Sequence, residues 1–206
     1  MKMKQLLFGG LLFAAFSFSA VESNAQDGRF GINAGVNFAN VTGKDASDNN
    51  KIKTGFQAGV TYDIGIADDF VIQPGLSYVQ NGAKYDGSIF GVSDPKLHLN
   101  YLQLPVTFQY QPELGDGNLL LGVGPYVGMG IGKIKAEAGN MSEKADWDDA
   151  SLKKFDAGGK LLVGYQLSNG LSLNLNANMG MVKLADVSNP PKTNNTSFGI
   201  TVGYKF

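Results

Sequence analysis

The last eleven residues of the chain, TSFGITVGYKF at positions 196–206, alternate between two kinds of side chain. The odd positions from Ser197 to Lys205 carry small or polar side chains. The even positions carry large apolar side chains, which are Phe198, Ile200, Val202, Tyr204 and Phe206. A period of two is typical of a β-strand with one apolar face. The end of the chain therefore predicts an amphipathic strand that closes a sheet.

Seven earlier segments alternate in the same way, which makes eight predicted strands in all. The seven are 30–38, 55–64, 70–78, 102–110, 119–132, 155–166 and 171–181. Their polar faces are mostly Gly, Asn, Gln, Ser and Thr, whereas a sheet that faces water usually exposes charged side chains. Neutral, compact groups suit the narrow interior of a small barrel. We expect the apolar faces to contact lipid, and a soluble barrel with those faces inside is the alternative.

The links between these segments alternate in length. Four long polar links cover 40–51, 82–96, 135–153 and 185–195, and three short ones cover 65–69, 112–117 and 168–170. Long extracellular loops that alternate with short periplasmic turns are typical of outer-membrane barrels. We therefore predict an all-β chain that forms an eight-stranded antiparallel up-and-down transmembrane β-barrel, with both mature termini in the periplasm.

The N-terminus has the pattern of an export signal. Positively charged MKMK precedes the apolar run LLFGGLLFAAFSF, and the small residues SNA follow at positions 23–25. This order predicts a cleavable signal peptide over residues 1–25 and a barrel domain over 26–206. Cleavage after Ala20 and a membrane-anchoring helix are the alternatives. The apolar run is shorter than the roughly 20 residues that a spanning helix needs.

Composition excludes several classes of function. The net charge is −1 and no basic cluster is present, so nucleic acid is not an expected partner. The chain has no cysteine and one histidine, which leaves few ligands for a transition metal. The glycines of 122–132 lack the spacing of a phosphate-binding loop and predict a bare lumen wall. We accordingly predict no catalytic residue, no cofactor and no metal site.

Charged residues are rare on the inward-facing parity. Lys160 lies near the middle of its predicted strand, where an unpaired charge would be costly. We predict a polar network in the lumen that joins Lys160 to a carboxylate and to amides. Its predicted members are Asp63, Gln73, Gln103, Asp156 and Lys160. Eight strands enclose room for side chains and little else, so general porin activity is not expected.

Two loop residues are candidates for contacts or chemistry. Trp147 lies in a third external loop that is rich in carboxylates, and an exposed tryptophan is a candidate anchor for a partner. The carboxylates lack the spacing of a calcium loop and are expected to be solvated. His98 follows Ser88, Ser93 and Asp94 without any spacing signature. We expect an exposed loop histidine, and a lipid-modifying enzyme is the alternative.

Four stretches in order resemble the outer-membrane β-barrel family of Bacteroidetes that is often called PorT-like. They are YLQLPVTFQY (101–110), LGVGPYVGMG (121–130), FDAGGKLLVGYQLSNGLSLN (155–174) and FGITVGYKF (198–206). The resemblance covers nearly all of the chain after residue 25 and implies an eight-stranded barrel in the outer membrane. It also implies that the closing strand carries the C-terminal signal read by the outer-membrane assembly machinery. It implies little about activity.

The sequence thus favours a non-enzymatic structural or interaction protein of the cell envelope. Its expected partners are outer-membrane lipid, the assembly machinery and another envelope protein. A lipid-modifying membrane enzyme and a soluble, lipocalin-like binding barrel remain the alternatives.

Overall fold

Eight long antiparallel strands form the molecule. The computed structural model describes residues 28–47, 49–89, 92–93, 95–138 and 141–206, so the predicted signal peptide lies outside the described residues. The strands are β1 Arg29–Thr42, β2 Lys53–Ala67, β3 Phe70–Tyr85, β4 Lys96–Tyr110, β5 Gly117–Gly130, β6 Phe155–Leu167, β7 Leu171–Gly180 and β8 Asn194–Lys205. Each strand pairs with the next one along the chain, and β8 pairs with β1. The predicted eight-stranded closed barrel is confirmed.

Apolar side chains cover the outside of the barrel. On the outer wall Val123 and Val202 are each 54 % exposed and Leu173 is 56 % exposed. The opposite parity of the same strands is buried and polar, as with Asn176, Ser197 and Thr201. In a closed barrel the backbone N–H and C=O groups hydrogen-bond between strands, and here apolar side chains form the outer surface, as a lipid environment requires. The soluble, lipocalin-like alternative is therefore wrong, because it requires the apolar faces to point inwards.

The two ends of the barrel differ in construction. Three short connections lie at one end, which we call the turn end, and the long connections lie at the other, the loop end. The connection between β6 and β7 is tight because Gly170 has a φ of +89°, which side chains rarely adopt. A β-carbon there would also lie 2.4 Å from the carbonyl oxygen of Lys205.

The long connections contain short strands that the sequence pattern does not predict. Strands Ile134–Ala138 and Met141–Ala145 form a hairpin, which we call the loop-end hairpin. It pairs with the start of β4, where Lys135 is opposite His98. Strand Asn50–Lys51 pairs with the end of β3, and Ser88–Ile89 pairs with Val92–Ser93. The wall of the barrel thus continues beyond the apolar band.

Within the described residues, no helix is both long and apolar enough to span a bilayer.

Candidate functional site

The interior of the barrel is the site that the sequence pattern singles out. It is lined by amides, hydroxyl groups and a few charged side chains, and it holds a cavity of about 40 Å³. One water needs roughly 10–15 Å³ of such volume, so about three waters fit. Leu120 and Leu162 also point inwards and are buried. The lumen is mostly filled by side chains.

A first polar cluster occupies the turn end of the lumen. Lys205 Nζ lies 2.5 Å from Asp63 Oδ2, a charge contact whose angles fall outside hydrogen-bond geometry. Gln73 Nε2 donates to Asp63 Oδ1 at 2.6 Å, and Gln109 Nε2 donates to Gln73 Oε1 at 2.8 Å. Gln111 accepts from Lys205 at 3.4 Å. Burial of this ion pair is offset by the amides that share its charge.

A second polar cluster lies near the loop end. Tyr126 Oη donates to Asp156 Oδ2 at 3.2 Å, and Asn195 Nδ2 donates to the same oxygen at 3.3 Å. Asn195 Nδ2 also donates to Tyr101 Oη at 3.2 Å. Asp156 is 2 % exposed, so its carboxylate depends on these donors rather than on water.

Lys160 belongs to neither cluster. It lines the cavity, and no described residue forms an ion pair or a hydrogen bond with its ammonium group. The predicted network that joins Lys160 to a carboxylate is therefore wrong. The physical reason is the register, because Asp63 lies beside Lys205 at the turn end and Asp156 meets Tyr126 near the loop end.

Some of the other predicted network members have hydrogen-bond partners and others do not. Gln73 joins Asp63 as described, whereas Gln103 is 3 % exposed and its Nε2 has no partner among the described residues. Sequence reasoning missed Gln109 and Gln111 as members of the cluster around Asp63 and Lys205, and Asn195 as a partner of Asp156. The signal for the first two was available, because the end of β4 and the end of β8 both lie at the turn end.

A cluster of apolar side chains closes the loop end of the lumen. We call it the mouth cluster; it consists of Leu99, Tyr101, Ile134, Trp147 and Leu184, with Val41, Leu97, Ala150 and Leu152 packed against it. The rings of Trp147 and Tyr101 meet edge to face at 5.3 Å, and Trp147 Nε1 donates to Gly132 O at 3.0 Å. The prediction of an exposed contact at Trp147 is wrong, since this side chain is 1 % exposed. Its acidic neighbours face solvent while the indole fills the mouth.

His98 lies in β4 rather than in a loop. Its Nε2 lies 3.1 Å from Glu137 Oε2 of the loop-end hairpin without meeting hydrogen-bond geometry, and Lys135 pairs with the same carboxylate. Burial, and then the nearby Lys53 ammonium, lowers the pKa of His98 below its usual value. The hydrogen bond from Lys135 is the main cause that lowers the pKa of Glu137. At neutral pH the pair is a neutral imidazole beside a carboxylate.

The closing strand presents its apolar parity to the outside. Phe198, Ile200, Val202 and Tyr204 are 41–54 % exposed and Phe206 is 68 % exposed. The Tyr204 and Phe206 rings meet edge to face at 5.1 Å. Among the described residues, no group of three or more His, Cys, Asp or Glu side chains is placed to hold a metal ion.

Comparison with known proteins places the chain in a family. A sequence model of the family described as "Outer membrane protein beta-barrel domain" matches residues 9–206. The chain belongs to this outer-membrane barrel family. Family membership and the outward apolar surface together assign it to the outer membrane. No curated protein is similar enough in sequence to count as a relative.

Solved structures of small outer-membrane barrels resemble this family member in fold. Neisserial surface protein A (NspA) shares 10% identity at a TM-score of 0.51, and the alignment covers 88% of this chain and 100% of that one. Ail, the attachment invasion locus protein of Yersinia pestis, shares 14% identity over 88% and 100% of the two chains, at a TM-score of 0.45. The outer membrane enzyme PagL shares 12% identity over 82% and 97%, at a TM-score of 0.48. At these identities the likeness concerns the fold alone.

Proposed function

We propose that this outer-membrane barrel is a structural and interaction protein of the cell envelope without general porin activity. The observation that supports this proposal is the mouth cluster above a lumen filled by hydrogen-bonded side chains. A porin needs a continuous aqueous path, and eight strands enclose little more than side chains. The surfaces that remain for function are the outer wall and the loop end.

The proposed orientation follows from export. After removal of a signal peptide over residues 1–25, both mature termini and the turn end would face the periplasm. The loop-end hairpin would then face outwards. The outward face of the closing strand would be read by the assembly machinery, the outer wall would contact outer-membrane lipid, and the hairpin would contact another envelope protein. A PorT-like lineage within Bacteroidetes is the finer family proposal, and the four sequence stretches support it.

Conductance measurements test the absence of a pore. We expect purified protein in planar bilayers to give no stable single-channel current. Steady currents of porin size from the wild-type chain would contradict the proposal, because the mouth cluster would then fail to seal the lumen.

Site-specific photo-crosslinking in intact cells tests the interaction role. Met141 in the loop-end hairpin is 66 % exposed and Met181 after β7 is 75 % exposed, so a photo-reactive residue at either position reaches solvent. We expect a discrete protein adduct from at least one of them. The same residue at Val123, which is 54 % exposed on the outer wall, serves as the control and should give lipid adducts only. If neither loop-end position captures a defined protein, the interaction role is wrong.

A lipid-modifying enzyme is the second candidate, and the His98–Glu137 contact is the observation that favours it. An imidazole beside a carboxylate is half of a general-base arrangement. However, among side chains that the structure describes, no hydroxyl nucleophile contacts His98. The test is the lipid A profile by mass spectrometry after His98→Ala. An unchanged profile removes the enzyme, and a lost modification would establish it over the structural role.

A further inference from the structure

Lys160 is a charged residue of the described lumen that belongs to neither polar cluster. It lies in the middle of β6, where its neighbours in the register are Gly124 of β5 and Asn178 of β7. Gly124 has no side chain, and the Asn178 amide donates to Ser197 Oγ at 3.2 Å. A cation held inside a protein normally needs a counter-charge or hydrogen-bond acceptors. Neither adjacent strand supplies a charged partner.

The inward-facing carboxylates are already committed elsewhere. Asp63 is in contact with Lys205 and Gln73, and Asp156 accepts hydrogen bonds from Tyr126 and Asn195. Asp156 precedes Lys160 by four residues on the same strand, which separates their backbones by about 13 Å at the usual rise. The positive charge of Lys160 therefore has no counter-charge from the described side chains around it.

Two hydroxyl groups that line the cavity with Lys160 are placed to act as donors. The hydroxyl oxygen of Ser172 accepts from Asn174 Nδ2 at 3.1 Å, and that of Thr201 accepts from Asn176 Nδ2 at 3.1 Å. Because each hydroxyl already accepts from an amide, its own proton is free to donate elsewhere. Both hydroxyl groups and Lys160 line the same cavity. Lys205 also borders it, but Asp63 balances that charge.

We propose that the cavity beside Lys160 binds a small inorganic anion of halide size. The ammonium group supplies the charge, and the Ser172 and Thr201 hydroxyl groups supply hydrogen bonds. A volume of about 40 Å³ admits a monoatomic anion with one or two waters and excludes an organic acid such as gluconate. The anion thereby provides the counter-charge that the chain does not give to Lys160.

Thermal unfolding of the detergent-purified mature protein tests this site. The midpoint is measured in sodium chloride and in sodium gluconate at equal ionic strength. We expect the wild-type midpoint to rise with chloride concentration, because a ligand that binds only the folded state stabilises it. The Lys160→Met variant should lose this dependence. In gluconate it should unfold at a higher temperature than wild type, since it lacks the unpaired ammonium group.

Two controls make the outcome decisive. Lys192→Met removes an exposed lysine and should keep the full chloride dependence, which separates binding at Lys160 from general salt effects. Crystals of the wild-type protein soaked in bromide should give an anomalous peak within contact distance of Lys160 Nζ. Equal wild-type midpoints in chloride and gluconate, or a chloride effect that survives in Lys160→Met, would overturn the proposal. A bromide soak without a peak at Lys160 would also overturn it.

Discussion

The ion pair at the turn end gives the sharpest quantitative prediction for the lumen. The side chains of Lys205 and Asp63 are 7 % and 5 % exposed, so each charge depends on the other and on the surrounding glutamines. Removing one partner of a buried pair leaves the second charge uncompensated, which typically costs about 3–5 kcal/mol. We therefore expect Lys205→Met to lower the free energy of unfolding by that amount.

The decisive variant replaces both Asp63 and Lys205. Replacing both partners of a buried pair is often close to neutral, because the desolvation cost disappears with the attraction. In Asp63→Asn/Lys205→Met the asparagine can still accept from Gln73. We expect this variant to lie within about 1 kcal/mol of wild type. The coupling between the two sites should thus recover most of the loss caused by Lys205→Met.

Urea unfolding in detergent micelles measures these differences. Folded and unfolded barrel can be separated on gels, and the fluorescence of Trp147 offers a second probe at the opposite end of the lumen. For a chain of this size, a loss of about 3–5 kcal/mol corresponds to a melting temperature roughly 6–20 °C lower. The matched control is Lys51→Met, since Lys51 and Asp86 form an exposed pair at 3.7 Å. Its expected effect is at most about 1 kcal/mol.

Additive losses would refute this reasoning. If Asp63→Asn/Lys205→Met loses as much stability as Asp63→Asn and Lys205→Met lose together, the lumen screens the charges as bulk water does. The amides around Asp63 would then stabilise the turn end without help from Lys205.

Two further changes test the outer wall and the mouth cluster. Val123→Arg places a charge on the lipid-facing wall and should lower the free energy of unfolding by about 2–4 kcal/mol in lipid bilayers. The control is Val187→Arg, in a loop position of similar exposure (48 % against 54 %), which should change that free energy by no more than about 0.5 kcal/mol. Equal losses in the two variants would mean that the wall does not face hydrocarbon. Trp147→Ala removes the largest side chain of the mouth cluster. The connection between β5 and β6 should then become sensitive to limited proteolysis while the strands stay resistant. An unchanged cleavage pattern would contradict a sealing role for Trp147.

The strands and their outward faces could be read from the sequence because one physical rule governs them. Leu102, Leu104 and Val106 alternate with Gln103, Pro105 and Thr107, and a wall between lipid and a narrow polar lumen favours this order. The short turns follow from Gly-rich or acidic links at regular intervals. These features depend on local sequence alone, so a single chain is enough to predict them.

The lumen contacts could not be read in the same way, because they depend on the register between distant strands. Lys205 reaches Asp63 only because β1 lies between β8 and β2, with Gly31 opposite both Lys205 and Thr61. A one-residue slip would turn Lys205 to the outside. Lys160 shows the same limit, since its predicted partners lie at other heights in the barrel.

The burial of Trp147 did have a signal in the sequence, in the parity of β4. From Leu102 onwards the even positions are apolar and exposed, yet Leu97, Leu99 and Tyr101 place their apolar side chains on the odd positions. The pairing of β4 with β3 keeps one register across this change, with Val79 opposite Tyr101 and Tyr78 opposite Leu102.

No bulge therefore explains the switch in β4; the surroundings of the wall change instead. Where the wall faces lipid, apolar groups point outwards, and where it rises above the apolar band they point inwards and form the mouth cluster. A switch of apolar parity within one unbroken strand marks the height at which the barrel leaves the membrane. Tyr101 is the inward-facing aromatic residue of β4 at this height, and it predicts that apolar side chains close the loop end of the lumen.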